Sequence, residues 1–351
     1  MLFFLRDQAL VRLLHDAQVR VARARSNADL LEVLDRLEVF PGGLEFNHMQ
    51  SIVLLVLAFA TFAAMWLMDG MGGMFWLGLA LVFFSYYIGK GLSGSSTDLA
   101  ASIARKCALF CNELSEFDST AEWRLKKLNS EFIEYQRGNE RRHIVDSVQG
   151  VYRGGCHRLA LEYHHLQYVT SSNQRGPGGS YRKVFDTFNR YSLVVDFPWV
   201  MDIAVRSSPL PAPQTLQPFK TGCSAFDETF VLWGNDQAGC ERFATGATLG
   251  FLLELARRLD KVNLEFSSQG RLCLSFGDEI MARADLGALS DLAVFRQRIV
   301  EGIELPGLFS VLEWVYQLVL LQGGPVDPAS QEEVRQENPS SVFLTLKHDA
   351  Q

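Results

Sequence analysis

Three patterns of apolar and polar positions follow one another along the chain, and each predicts a different kind of element. Between residues 2 and 38, Leu10, Leu14, Ala17, Val21, Ala24, Ala28 and Leu31 recur in alternating steps of four and three. That spacing lays them along one stripe of a helix, the seam of a coiled-coil-like packing. Arg12, Arg20, Arg23 and Arg25 crowd one section, as in a helix lying on anionic lipid, yet Asp16, Asp29, Glu32 and Asp35 are interspersed. A packed amphipathic helix with a solvated outer face accounts for both signs. Pro41-Gly42-Gly43 breaks it.

From Met49 to Gly89 the stripe gives way to apolar residues on every face. No charged side chain lies between His48 and Asp69, or between Asp69 and Lys90. Each interval holds about 20 residues, enough to cross roughly 30 Å of hydrocarbon at 1.5 Å per residue. The sequence therefore predicts a two-helix transmembrane hairpin over 49–90. Its turn falls at Asp69, Gly70, Gly72 and Gly73, since a carboxylate in mid-bilayer costs on the order of 3 kcal/mol. Trp66, Trp76, Tyr86 and Tyr87 stand near the ends of the spans, where amphipathic rings favour the headgroup level. A buried hairpin in a soluble protein is the alternative, although soluble helices are rarely apolar all round.

A stripe returns at Leu99, Ile103, Phe110, Leu114, Phe117, Ala121, Leu125, Leu128, Phe132 and Tyr135, after a glycine- and serine-rich joint at 91–96. It predicts a helical stalk over 91–140, paired with the first helix within the chain or between subunits.

Beyond Arg141 the period shortens. Ile144–Tyr152, His157–Val169, Val184–Phe197 and Met201–Val205 read as strands, as does Phe226–Trp233. The loop at 173–179 is glycine-rich, but a strand-like run follows it, so it reads as a hairpin loop rather than a phosphate cradle. Thr245 is a natural N-cap for a helix over 247–259. Runs at 262–266 and 271–276 flank Ser267-Ser268-Gln269-Gly270 as a β-hairpin, and a last helix covers 290–321 with a break at Pro306-Gly307. The expected fold class is an α+β membrane protein: hairpin, stalk, and a cytoplasmic antiparallel-sheet domain over 141–322 with late helices. Residues 323–351, rich in Glu, Gln, Ser and Pro, read as a disordered tail with Val342–Leu346 as a docking or edge-strand segment.

Charge changes this picture by exclusion. The net charge is -7, from 33 Lys and Arg against 40 Asp and Glu, which argues against a nucleic-acid partner. Membrane lipid and a protein partner, or self-association through the stalk, are the expected contacts. The predicted turn lacks Lys and Arg, whereas Arg36, Lys90, Arg105 and Lys106 flank the spans, which places both termini in the cytoplasm. The opening Met1–Leu5 is too short for a signal peptide. Six cysteines lie scattered without a C-x-x-C pair, so neither zinc nor a disulfide framework is indicated.

The run Phe226-Asp227-Glu228-Thr229-Phe230-Val231-Leu232-Trp233-Gly234-Asn235-Asp236-Gln237, followed by the Thr245 helix and the 262–276 hairpin, resembles the domain-of-unknown-function family 3137. The resemblance covers roughly residues 49 to 320. It departs at Thr245-Gly246, where the family has Thr-Pro, and at Phe185-Asp186-Thr187, where it favours Phe-x-Gly. What it implies is a bacterial inner-membrane protein with two spans and a cytoplasmic α+β domain, and a LemA-like partner. It transfers no catalytic role, because the matching positions are apolar or turn residues.

Candidate chemistry is sparse. His164 and His165 are strand neighbours whose rings point to opposite faces, which is poor geometry for a shared metal. Cys107 and Cys111 share a helix face as buried thiols, Cys156 lacks a partner base, and Asp227-Glu228 and Asp278-Glu279 suit solvated loop ends. No catalytic residue, cofactor site or metal site emerges. The expectation is a membrane-anchored, non-enzymatic interaction or sensing module. The alternatives are a membrane-perturbing effector that oligomerises through hairpin glycines, Gly78 among them, and then a tethered enzyme.

Overall fold

The computed structural model describes residues 2–41, 44, 49–67, 72–154, 157–175, 181–207, 215–281 and 287–323. In chain order the elements begin with α1 (Leu2–Arg23), α2 (Asn27–Glu38), α3 (Met49–Leu67), α4 (Gly72–Cys111), β1 (Leu114–Glu116) and α5 (Ala121–Glu131). A 3-10 turn (Ile133–Gln136) leads to β2 (Arg141–Gly154), β3 (His157–Arg175), β4 (Tyr181–Asp196), β5 (Ile203–Arg206) and β6 (Gln217–Phe219). There follow α6 (Ser224–Thr229), β7 (Val231–Gly234), α7 (Gln237–Phe243), α8 (Gly246–Arg258), β8 (Asn263–Phe266), β9 (Arg271–Phe276), α9 (Leu292–Glu301) and α10 (Pro306–Gln322). The chain divides into a helical unit, Met1–Asn112 with Arg283–Glu304, and a sheet unit, Glu113–Ala282 with Leu305–Gln351.

In the helical unit α1 packs against α4, and α2 against α9. The predicted seam holds through Leu10, Leu14, Ala17, Val21 and Ala24, all buried. It then changes phase. Ser26 closes a capping box, its hydroxyl accepting from Asp29 N while Asp29 Oδ2 accepts from Ser26 N, so α2 starts afresh and buries Leu30, Val33, Leu34 and Leu37. Ala28 is consequently exposed.

The sheet unit is built on nine antiparallel strands in the order β1-β2-β3-β4-β9-β8-β5-β7-β6. A four-residue turn, 267–270, joins β8 and β9. There Gly270 takes φ +73°, which a side chain would strain, and its N–H reaches Ser267 O at 3.2 Å. Strand alternation sorts the sheet into two faces. One buries Leu161, Tyr163, Leu193, Val195, Leu264, Phe266, Leu272, Leu274 and Phe276. Phe243 of α7 meets Phe266 at 5.4 Å on this face, and Tyr316 of α10 meets Tyr152 at 6.3 Å. Gln322 ties the covering helices together, donating to Phe243 O and to Thr248 Oγ1. Burying each Leu or Phe here contributes about 1.5–3 kcal/mol. The opposite face carries Glu162, His164, Arg190, Ser192, Asn263, Glu265, Arg271 and Ser275 beneath α5 and the 3-10 turn, around a cluster that includes Leu128, Phe132 and Tyr135.

Several expectations are corrected. The fold is α+β with an antiparallel sheet, but a two-span transmembrane hairpin is not what the described residues show. Among the described residues, the apolar stretches of α3 and α4 are Ile52–Ala64 and Phe75–Tyr86. One stretch among the described residues, Leu292–Gln322, is long and apolar enough to cross a membrane; 44% of its most apolar window is buried. It comprises α9 and α10, separated at Gly302, whose φ is +87°. The stalk is not one helix. Instead α4 ends at Cys111, where Asn112 Nδ2 donates to Ala108 O and Ile303 O, and the apolar stripe continues through β1, α5 and the 3-10 turn. The expected joint at 91–96 is helical, within α4. Phe226–Thr229 is helical too, with Phe226 and Phe230 in ring contact at 5.2 Å.

Candidate functional site

The polar face is organised by a carboxylate. Phe132 and Tyr135 anchor the 3-10 turn in the core, and Glu134, immediately before Tyr135, is pointed inward with its side chain 3% exposed. Its oxygens accept from Arg190 Nε at 2.8 Å, Asn263 Nδ2 at 3.0 Å and both Arg137 Nε and Nη2. Burial pushes its pKa up, but Arg190 and Arg137 outweigh that and hold it at about 2. Glu265 behaves oppositely. It accepts from Arg206 Nη2 at 2.8 Å and Ile133 N at 2.7 Å, yet burial, with Glu134 nearby, raises its pKa. Carboxylates shifted in opposite directions are a pattern of acid–base sites. Here neither lines a described cleft, so the pair serves to dock the 3-10 turn on β8 and β4.

A cleft of about 290 Å³ opens on the same face, lined by Ser115, Gln149, Glu162, Asp196 and Arg271 with Val194 at its base. Arg271 is its hub. Nη1 donates to Glu131 Oε2 and Nη2 pairs with Glu162 Oε1, both at 2.8 Å, while Asp196 Oδ1 lies 4.0 Å from Nε. Behind Glu162 stands His164, fully buried, its Nε2 3.2 Å from Glu162 Oε2. The imidazole stacks on Phe117 at 5.7 Å and meets Tyr135 edge-on at 6.0 Å. Burial lowers its pKa despite Glu162, which keeps the ring neutral. Glu162 is held at about 2, with the His164 hydrogen bond and Arg271 overcoming its own burial. With the Arg271 donors engaged, the cleft offers carboxylate lone pairs, an amide and a hydroxyl. It suits recognition of a hydrogen-bond donor and holds no activated nucleophile.

A second surface belongs to the helical unit. Val56 is 60% exposed, Phe59 66%, Trp76 68%, Phe83 66% and Tyr86 65%, on α3 and α4. Apart from the later part of α4, which packs on α1 and α2 with Leu99, Ile103 and Cys107 buried, the two helices bury little besides their mutual contact. Ala58, Gly78 and Ser85 are buried, and a Cβ on Gly78 would meet Phe62 and Thr61 at 2.8–2.9 Å. Phe62 and Phe75 meet edge-on at 6.0 Å.

Of the sequence-derived site residues, Trp76 and Tyr86 are exposed on α4. Trp66 lies on α3 and Gly72, Gly73 and Tyr87 on α4. Asp69, Gly70, Cys156 and the 324–351 tail lie outside the described residues. His164 and His165 do face opposite ways, His165 bonding Asn189 Oδ1 at 3.0 Å. Cys107 and Cys111 share a face with sulfurs 3.8 Å apart, but only Cys107 is buried as expected; Cys111 is exposed. Asp278 accepts Asp260 N as a loop-end carboxylate does, whereas Asp227, expected at a loop end, lies in the first turn of α6 and accepts Thr221 N. Sequence reasoning missed Glu134, Arg190, Arg206, Glu265 and Arg271. For the four on strands, all but Glu134, the available signal was a charge within a β-rich run. No protein-family model matches the chain, and no curated protein does.

Proposed function

We propose that the chain is a membrane-anchored interaction module without catalytic turnover. In this reading the apolar surface of α3 and α4 is bedded in lipid, and the Glu162–Asp196–Arg271 cleft receives a partner group rich in hydrogen-bond donors. The observation that carries it is the band of large side chains on α3 and α4, far more continuous than the scattered exposed apolar residues of a soluble surface. Arg36, Arg105 and Lys106, which flank that band in sequence, favour the cytoplasmic leaflet of a bacterial inner membrane with both termini on that side. The resemblance to family 3137 supports the same setting and a LemA-like protein as partner, with self-association as the other source of contacts. The test is flotation of the full-length chain with neutral phosphatidylcholine vesicles at high salt. Salt-resistant co-flotation is expected; a folded chain that stays at the bottom of the gradient would refute the reading.

A further inference from the structure

Past the registers that tie them into the sheet, β3 and β4 continue as a free ribbon. β2 accompanies β3 only to Val169, opposite Arg141, and β9 accompanies β4 only from Tyr191, opposite Phe276. Asn139 adds a last bracket, its side chain exchanging hydrogen bonds with the Ser171 backbone. Beyond it, residues 172–175 and 181–184 find strand partners only in each other among the described residues. A two-stranded ribbon is marginally stable in water, and this one wears rings on its outside. Tyr181 is 73% exposed, Phe185 57% and Phe188 44%.

Charge separates the ribbon from the rest of the chain. Its exposed ionic residues are Arg175, Arg182 and Lys183 against Asp186 alone, in a chain whose net charge is -7. Alternation puts Arg175, Tyr181, Lys183 and Phe185 on one face and Arg182, Asp186 and Phe188 on the other. Lys183 lies 5.1 Å from the Phe185 ring centroid and pairs with Glu140. The described part of the ribbon therefore presents cations on both faces, interleaved with aromatic rings.

We infer that the ribbon is a second, electrostatic contact with a membrane: it meets an anionic phospholipid surface with Arg175, Arg182 and Lys183 at the phosphates and Tyr181 and Phe185 among the headgroups. Each half of the pattern has a physical reason. Basic side chains near an anionic leaflet are drawn to it, and aromatic rings partition to the interface. A nucleic acid would fit less well, because tight backbone binding uses roughly 6–10 phosphate contacts and the ribbon supplies three cations. This inference goes beyond anchoring by α3 and α4 and does not depend on it.

Hydrogen exchange of the full-length chain tests it, with phosphatidylcholine vesicles compared with vesicles containing roughly 30% phosphatidylserine. Amides of 172–175 and 181–185 should exchange on the order of tenfold more slowly on the anionic vesicles, and salt of roughly 0.5 M should erase the difference. The triple variant R175E/R182E/K183E should lose that protection while β9 amides stay protected, which shows that the fold is intact. Equal exchange on both vesicles, protection surviving in the triple variant, or equal protection by a single-stranded oligonucleotide without vesicles would overturn the inference. Flotation on neutral vesicles reports the α3–α4 anchor separately. Should that fail, the chain added to anionic vesicles still reports on the ribbon.

Discussion

On α3 and α4, Val56, Phe59, Trp76 and Phe83 are at least 60% exposed, whereas in the sheet unit Glu134, Arg190, Arg206 and Asn263 are at most 4% exposed. Each region inverts the usual distribution, but the two inversions differ in kind. The buried charges are compensated within the chain, Glu134 by two guanidinium groups and an amide, Glu265 by Arg206 and a backbone N–H. The exposed apolar band of α3 and α4 has little compensation beyond the contact between the two helices. The interior charges are paired, although His164 Nδ1 and Arg190 Nη1 are buried without a hydrogen-bond partner, and the exposed band of α3 and α4 is the feature on which the proposed lipid setting rests.

The largest expected effect breaks the outer inversion. Val56→Glu together with Phe83→Glu should abolish vesicle association, because each carboxylate costs about 3 kcal/mol in hydrocarbon. Stability of the sheet unit, followed by its own unfolding transition, should not change. Next comes the inner inversion. Glu134→Gln leaves Arg190 and Arg137 buried without their counter-charge and should destabilise the sheet unit by about 3–5 kcal/mol in urea unfolding. Replacing all three with apolar residues, Glu134→Leu with Arg137→Met and Arg190→Met, should recover much of that loss. On the apolar face of the same sheet, Leu274→Ala should cost about 3 kcal/mol through the cavity it leaves. The two faces are thus expected to be comparably sensitive for different reasons, one electrostatic and one steric.

Acid should distinguish them. His164 is held neutral with its pKa lowered from 6.5, so below that value the unfolded chain binds a proton the folded chain does not, and stability falls as pH drops. Glu134 and Glu162, depressed from 4.5 to about 2, add a second loss between those values. Glu265, raised by burial, acts in the opposite sense and softens that limb. His164→Gln should remove the upper limb of the stability–pH profile and keep the lower. The smallest effect belongs to a helix cap. Thr245 accepts from Thr248 N at 3.3 Å, and Thr245→Ala should cost about 1 kcal/mol.

Local chemistry made part of this legible in advance. The Thr245 cap and the β8–β9 hairpin with Gly270 rest on nearest-neighbour rules, and the long strands β2 to β4 on uninterrupted β-rich runs. The capping box at Ser26 and Asp29 was equally local, but the continuous apolar stripe concealed it. Phe226 and Phe230 favour strands by type, whereas Phe226 lies in α6 and Phe230 caps it, with their rings in contact. The stalk reading failed because a stripe of apolar residues stays in phase across a helix, an edge strand and a 3-10 turn. The polar face was out of reach for another reason. Glu134 meets Arg190 across 56 positions and Asn263 across 129, and only the sheet register brings them together.

The central claim is that α3 and α4 sit in lipid, and Trp76, 68% exposed on α4, reports on it directly. Tryptophan fluorescence of the full-length chain should be quenched by phospholipids brominated on their acyl chains, and Trp76→Phe should remove a large part of that quenching. A folded chain whose fluorescence ignores the bromine, or whose quenching survives Trp76→Phe unchanged, would contradict the account.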